Sequence, residues 1–287
     1  MTATLRLDDG TELIRNWDFE PTRASTRIRA LRLRNALLHR VAAPASELLK
    51  SGNGGARWAA YFVFLADGGL QPAHRFTLER LASTGRRLLV VCAAPNPAAV
   101  PGELIARSDI CVWKALPGFD FSAYALALRT LAEYAPGAET LVLNDSVFGP
   151  FGDFESWLAP ASWDLTGFTA TANVENHLQS FAFQMREVTS VRIGELSPIL
   201  GRTFDSFWDV VLNQENQFAR VAARNMSVGA LLYAPPGDSP DPMLQRALPL
   251  VRAGFPFLKR SLLGKLAHLH PREDVLATLE AAGHPRP

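Results

Sequence analysis

The spacing of apolar residues changes along the chain, and the change predicts the elements. Trp58 to Leu65 and Arg87 to Ala93 are nearly unbroken apolar runs, as expected of strands buried on both faces. Between them, from Pro72 to Ser83, the apolar positions are Phe76, Leu78 and Leu81, which suits a crossover helix. Pro101 to Arg107 reads as a short helix and Ile110 to Trp113 as a third strand. Phe121, Tyr124, Ala125, Leu128, Leu131 and Ala132 recur at helical spacing, so a helix is expected from about Asp120, its N-cap, to Tyr134. A fourth strand follows at 141–144. This order predicts a mostly parallel central sheet flanked by helices, an α/β Rossmann-like fold with right-handed crossovers.

After Pro150 the pattern becomes mixed. Phe151 to Pro160 reads as a short helix. Trp163 to Thr171 and Gln179 to Met185 read as two more strands. Thr203 to Asn225 holds one or two helices, with Phe204, Phe207, Trp208, Val211 and Leu212 expected on the inner face, and Val228 to Tyr233 a late strand. A Pro-rich loop at 235–242 leads into a helical C-terminal tail, taken from residue 268 to 287. Before the main domain, at 56–267, residues 1–55 are expected to form a separate helical N-terminal extension. Its arginine-rich stretch from Thr22 to Arg40 suits a basic amphipathic helix, solvated or in weak contact with an anionic surface. Ser51 to Gly55 reads as a hinge. It precedes a strand and lacks a third glycine, so it is not a dinucleotide loop.

Composition narrows the class. The chain has 287 residues, 48% hydrophobic and 20% charged, which suits a globular protein with a sizeable core. A formal net charge of +1 gives no nucleic-acid signal. No apolar run reaches the ~18–20 residues of a membrane span. Met1 to Arg15 carries frequent charges and no apolar core, so a signal peptide is not expected. Cys92 and Cys111 lie in apolar runs and are expected to be buried and reduced, which points to the cytoplasm.

The chemistry concentrates where the fourth strand ends, at Leu141-Val142-Leu143-Asn144-Asp145-Ser146-Val147-Phe148-Gly149-Pro150. Polarity flips there in one step, and in open α/β sheets ligands bind outside the carboxyl ends of strands. Asp145 is read as facing the phosphates of a nucleotide-sugar. Asn, Asp and Ser are also common turn formers, so capping is the alternative. GxSxG, P-loop and HExxH motifs are absent, and His268 and His270 have no thiol or carboxylate cluster beside them.

Four blocks carry a family resemblance: Gly118-Phe119-Asp120-Phe121, Leu143 to Pro150, His177-Leu178-Gln179-Ser180-Phe181, and Pro256-Phe257-Leu258-Lys259-Arg260. In this order, over about 57–265, the chain resembles the rhamnan synthesis protein F family. These are bacterial glycosyltransferases of surface polysaccharide assembly (O-antigen, capsule, rhamnan). The resemblance implies a GT-A-like fold and a nucleotide-sugar donor, with dTDP-rhamnose suggested. It also implies a glycan or lipid-linked acceptor and a divalent metal, Mg²⁺ or Mn²⁺, held at Asp145. Asp120, Asn144, Ser146, Gln179, Ser180 and Lys259 would then lie around the donor, and His177 near the sugar or acceptor. The family's ending after the first strand is replaced by Leu65-Ala66-Asp67, of which only Asp67 matches. Around 214–220, Phe218 and Ala219 replace a Leu-Ser pair.

Glycosyl transfer needs the leaving diphosphate stabilised and, for inversion, a base for the acceptor hydroxyl. A carboxylate about 4 Å from a phosphate charge is repelled by roughly 4 kcal/mol at an effective dielectric of 20, so Asp145 needs a cation between them. Lys259 or Arg260 is the alternative to a metal. Glu215 is the first candidate base and His177 the second. Phe148, Phe151, Phe154 and Trp157 are expected mainly in the core. A non-catalytic protein of the same fold, binding a glycan or a partner enzyme, is the second reading. The basic segment Lys259 to Lys265, with Leu258, Leu262, Leu263 and Leu266, is a candidate for resting on a membrane.

Overall fold

A computed structural model of the chain describes residues 3–67, 69–237 and 241–287. Gly68 and residues 238–240 of the Pro-rich loop lie outside the described residues. The strands are β1 (Thr4–Arg6), β2 (Glu12–Asp18), β3 (Ser46–Lys50), β4 (Arg57–Phe64), β5 (Arg87–Ala93), β6 (Ile110–Lys114), β7 (Ala138–Asn144), β8 (Val147–Phe148), β9 (Leu165–Thr171), β10 (His177–Leu178), β11 (Ala182–Val188), β12 (Val228–Ala234) and β13 (Leu258–Lys259). The first four helices are α1 (Thr26–Leu38), α2 (Pro72–Ala82), α3 (Gly102–Arg107) and α4 (Phe119–Tyr134).

The main sheet runs β1-β2-β12-β9-β11-β7-β4-β5-β6-β3, with β10 added beside β9. Strands β7, β4, β5 and β6 are mutually parallel, and β12 runs parallel to β9, while the other pairings are antiparallel. The fold is α/β, a mixed sheet with a parallel centre flanked by helices. The unbroken apolar runs are explained by burial on both faces. Trp58, Ala60 and Phe62 of β4 pack with α4 residues Phe121, Leu128 and Leu131. Ala59, Tyr61 and Val63 point to the opposite face, towards Leu78 and Leu81 of α2 and Leu104 of α3.

Strand order sets the place of the site. From β4 the chain steps outward to β5 and β6. It then returns past β4 to form β7 on the other side. The order therefore reverses between β4 and β7, and ligands of open α/β sheets bind outside the carboxyl ends of strands at such a point.

Several sequence expectations are corrected. Residues 1–55 are not a separate layer: β2 pairs with β12 and β3 with β6, so they supply both edges of the sheet. Their partners lie too far along the sequence for local pattern to reveal. Asp120 does not cap α4. Gly118, at φ 95°, is the N-cap. The expected strand Gln179–Met185 begins instead at Ala182, because Ser180 gives its N–H to Glu215 rather than to a strand. Leu258 and Leu262 are buried and Leu263 and Leu266 pack against the same cluster, so the 258–266 segment turns its leucines inward, away from any bilayer. Cys92 and Cys111 are buried and unpaired, and Phe148, Phe151 and Phe154 are in the core.

Gly229 on β12 leaves no room for a side chain, since a Cβ there would run into the Trp163 indole. We expect Gly229→Ala to cost about 1–3 kcal/mol through overpacking, read as a lowered urea midpoint. Gly102→Ala, at a position with no neighbour within 4 Å of the added carbon, serves as the control.

Candidate functional site

A cavity of about 980 Å³ opens at the β4–β7 crevice. Nine of the ten side chains named from the sequence line it: Asp120, Asn144, Asp145, Ser146, His177, Gln179, Ser180, Glu215 and Lys259. The tenth, Asp67, does not. Leu65 is buried after the end of β4, and the chain then turns outward and leaves Asp67 exposed. The walls come from the ends of β4, β7 and β9, from the loop after β6, from 207–216, and from the segment following β13.

Asp145 sits where β7 ends. Its Oδ2 accepts the Phe64 N–H of the neighbouring strand at 2.9 Å. His74 Nε2 lies 3.5 Å from that oxygen and Arg260 Nη1 4.0 Å from it. Arg260 also donates to the Asp145 carbonyl at 3.1 Å and to the Gln71 side chain. The chain itself thus supplies the positive charge that this carboxylate needs. Among the described residues no group of three or more His, Cys, Asp or Glu is placed to hold a metal ion. A single carboxylate already facing Arg260 and His74 is a poor donor set for a resident divalent cation, which prefers several oxygens. The expected metal role of Asp145 therefore does not fit these surroundings, and the Lys/Arg alternative fits them better.

Asn144 orders the strand tip. Its Nδ2 donates to Asp120 Oδ2 at 3.0 Å. Its Oδ1 accepts from Ser146 N–H at 3.0 Å and Ser146 Oγ–H at 2.6 Å. The turn chemistry of Asn-Asp-Ser is real, but Asn144 and Ser146 make it, leaving Asp145 for the interstrand bond. Withdrawal from water pushes Asp120 up from 3.8 to about 6, and the nearby Glu215 charge adds to the rise while Lys259 opposes it.

Glu215 closes a five-residue π-helical turn, Val211–Glu215, a local irregularity often found at functional sites. Its Oε1 accepts both Ser180 N–H at 2.8 Å and Ser180 Oγ–H at 3.0 Å. The Ser180 carbonyl in turn accepts Tyr124 O–H at 2.8 Å. His177 is buried, and its Nδ1 lies 2.9 Å from the Glu175 carbonyl. A carbonyl only accepts, so Nδ1 carries the proton and Nε2 of the neutral ring is the acceptor. Gln179 takes Thr169 O–H at 2.7 Å and donates to Asp241 Oδ1 at 3.1 Å.

Three further groups were missed by sequence reasoning. Asp241 faces the cavity, its acidity weakened by burial and by Glu215. Its place before Pro242 marks an N-cap, which hides the second role. Lys114 is fully buried, and desolvation brings it down from 10.5 to about 8. It donates to the carbonyls of Ala115 at 2.9 Å and Pro117 at 2.6 Å, shaping the loop that forms one wall. His74 is buried in the first turn of α2. Lys259 projects over the Phe181 ring, 4.7 Å from its centroid, with no ion-pair partner among the described residues.

No protein-family model matches the chain, and no curated protein is found similar to it. One solved structure with some likeness is 4-diphosphocytidyl-2C-methyl-D-erythritol synthase from Anaerococcus prevotii. It has 11% identity and a TM-score of 0.40, covering 65% of this chain and 92% of that one. So slight a likeness supports no functional argument, and the site must be judged on its own geometry.

The elevated Asp120 gives a pH test. Unfolded, the group titrates near 3.8, and folded at about 6. Between those values the folded chain holds a proton that the unfolded chain has lost. This group therefore contributes a fall in stability as pH rises from about 4 to about 6, and no slope above. Asp120→Asn should flatten that part of the profile in urea denaturation across the range, and an unaltered profile would contradict the assignment.

Proposed function

We propose that the chain is a nucleotide-sugar-dependent glycosyltransferase, acting by inversion. The observation that carries this reading is one large cavity at the switch point of the sheet, lined by a cation without an ion-pair partner among the described residues and by separate candidate bases. The four-block resemblance to the rhamnan synthesis F family supplies the finer expectation. In it, rhamnose or a related sugar passes to a growing bacterial surface polysaccharide such as O-antigen, capsule or rhamnan. Work at the cytoplasmic side of the inner membrane belongs to the same proposal.

In this reading the nucleoside diphosphate lies along the β4–β7 crevice with its phosphates towards Lys259 and the Arg260 edge. One cation about 4 Å from a phosphate charge is worth roughly 4 kcal/mol at an effective dielectric of 20, and more as negative charge gathers on the departing diphosphate. Asp145 acts by holding Arg260 and by tying the strand tips together, so it need not touch the phosphates. Glu215 takes the proton from the acceptor hydroxyl as the new bond to the anomeric carbon forms. Ser180, bonded twice to Oε1, fixes its direction. His177, through Nε2, is the second candidate. No step passes through a metal.

Donor hydrolysis provides the test, with UDP-, GDP-, CDP- and dTDP-sugars as substrates and nucleoside diphosphate release as the readout. Glu215→Gln is expected to lower kcat about 10²–10⁴-fold with little change in donor affinity. Lys259→Ala should weaken nucleoside diphosphate binding by about ten-fold or more, since a charge-assisted bond is lost. Asp145→Ala should abolish release. Absence of turnover with every donor, despite clean binding, would instead favour the non-catalytic glycan- or partner-binding reading.

A second measurement addresses the cation. Nucleoside diphosphate affinity by titration calorimetry should be the same in EDTA as with Mn²⁺. A fall of about ten-fold in EDTA would restore a divalent ion to the site.

A further inference from the structure

Helix α1 is built inside out. Its one fully buried side chain is polar: Asn35 faces the protein, donating to Asp209 Oδ1 at 2.6 Å. Three of its four leucines face outward, with Leu33 65%, Leu37 74% and Leu38 67% exposed, while Leu31 is half-buried. Leu33 and Leu37 lie one turn apart on one side of the helix, and Leu38 lies about 100° further round, with the exposed Arg34 between it and Leu37. A helix that serves only to cover a core shows the opposite arrangement.

Along the helix itself the charge has a single sign. From Pro21 to Ser46 the chain has six arginines and no acidic residue. Arg32 is taken by the buried Glu175. The other five, Arg23, Arg27, Arg29, Arg34 and Arg40, have no ion-pair partner among the described residues, and all are exposed. Beside the helix runs a groove of about 710 Å³ to which Arg202 and Arg224 add further positive charge. Its one carboxylate, Glu175, is already paired with Arg32 and Arg220. On the other flank, Trp208 is 68% exposed and shares a shallow depression with Arg34, the exposed Asp205, and Asp209, which Asn35 and His39 hold. Trp208 and Phe207 also line the mouth of the large cavity.

We propose that α1 and the Phe207–Trp208 turn form a docking face for the surface of an anionic phospholipid bilayer. Exposed leucines enter the acyl boundary, arginines meet lipid phosphates, and a tryptophan sits at headgroup depth. A second copy of the chain is a worse occupant. A two-fold contact would set the arginines of one face against those of the other. Nucleic acid would use the arginines and leave three leucines in water. An anionic bilayer satisfies both halves of the face. Docked this way, the cavity mouth lies beside the membrane, where a lipid-linked acceptor would present its sugar. The docking itself does not rest on the transfer reading and is tested without turnover.

The test is flotation of the full chain with vesicles of phosphatidylglycerol and phosphatidylcholine, compared with phosphatidylcholine alone. Recovery should be high with the anionic vesicles and near background with the neutral ones. Leu33→Ser/Leu37→Ser/Leu38→Ser should reduce recovery about ten-fold, and Arg27→Glu/Arg34→Glu should remove the preference for anionic lipid. All five positions are exposed, and an unchanged thermal midpoint confirms that each variant is folded. Equal recovery of wild type and both variants would overturn the proposal, as would absence of flotation with anionic vesicles. A dimer in light scattering that the triple leucine variant dissolves would assign the face to a second copy and overturn it too.

Discussion

A carboxylate at the end of a buried parallel strand must be given hydrogen and charge partners, and meeting that requirement for Asp145 assembles most of the site. The Phe64 N–H ties the tip of β7 to the tip of β4. His74 brings in the first turn of α2. Arg260 brings in the chain just after β13, which itself pairs with β8 immediately beyond Asp145. Three stretches far apart in sequence, at 64–74, 145 and 260, are thereby drawn to one point. The cavity is the space they leave at the place where strand order reverses.

The same crowding divides labour among the neighbouring residues. Asn144 and Ser146 satisfy the turn, so Asp145 is released from it. Ser180 commits its main chain and hydroxyl to Glu215, which takes it out of the sheet and fixes one oxygen of the candidate base. Gln179 spends both ends of its amide on Thr169 and Asp241. It holds the wall together, while Lys259 keeps its charge for a ligand. In such a site the residues with most hydrogen bonds are the scaffold, and those with fewest are the groups left for chemistry.

The parts of the molecule that could be read beforehand share a physical cause. Strands buried on both faces, such as Trp58 to Leu65 and Arg87 to Ala93, write their state as continuous apolar runs. The long helix from 119 to 134 writes its state as a 3.6 period. The N-terminal strands did not, because Glu12–Asp18 is half exposed and joins the main sheet through β12, more than two hundred residues later. For the site, short blocks of turn-forming and polar residues marked Asp120, Asn144 to Ser146, His177 to Ser180 and Lys259, while Asp205, Asn216 and Asp241 of the same lining went unmarked. Asp67 was misplaced because a strand end in sequence does not say which way the chain leaves it. Lys114 was missed because its ammonium turns back onto the carbonyls of its own loop, and nothing in an apolar strand ending announces that. The leucines of 258–266 and those of α1 looked alike in sequence and face opposite ways. Only the fold distinguishes the inward set from the outward one.

Both borders of the main sheet are drawn from the same opening stretch of chain: β1 and β2 line one side, and β3 lines the other. Shortening the protein from its start would therefore strip two flanks at once, baring the unpaired amides and carbonyls of β12 and of β6. Rows of that kind invite strand-to-strand stacking between molecules. The first fifty residues thus act as a selvedge that keeps the fabric from joining itself, whatever else they do.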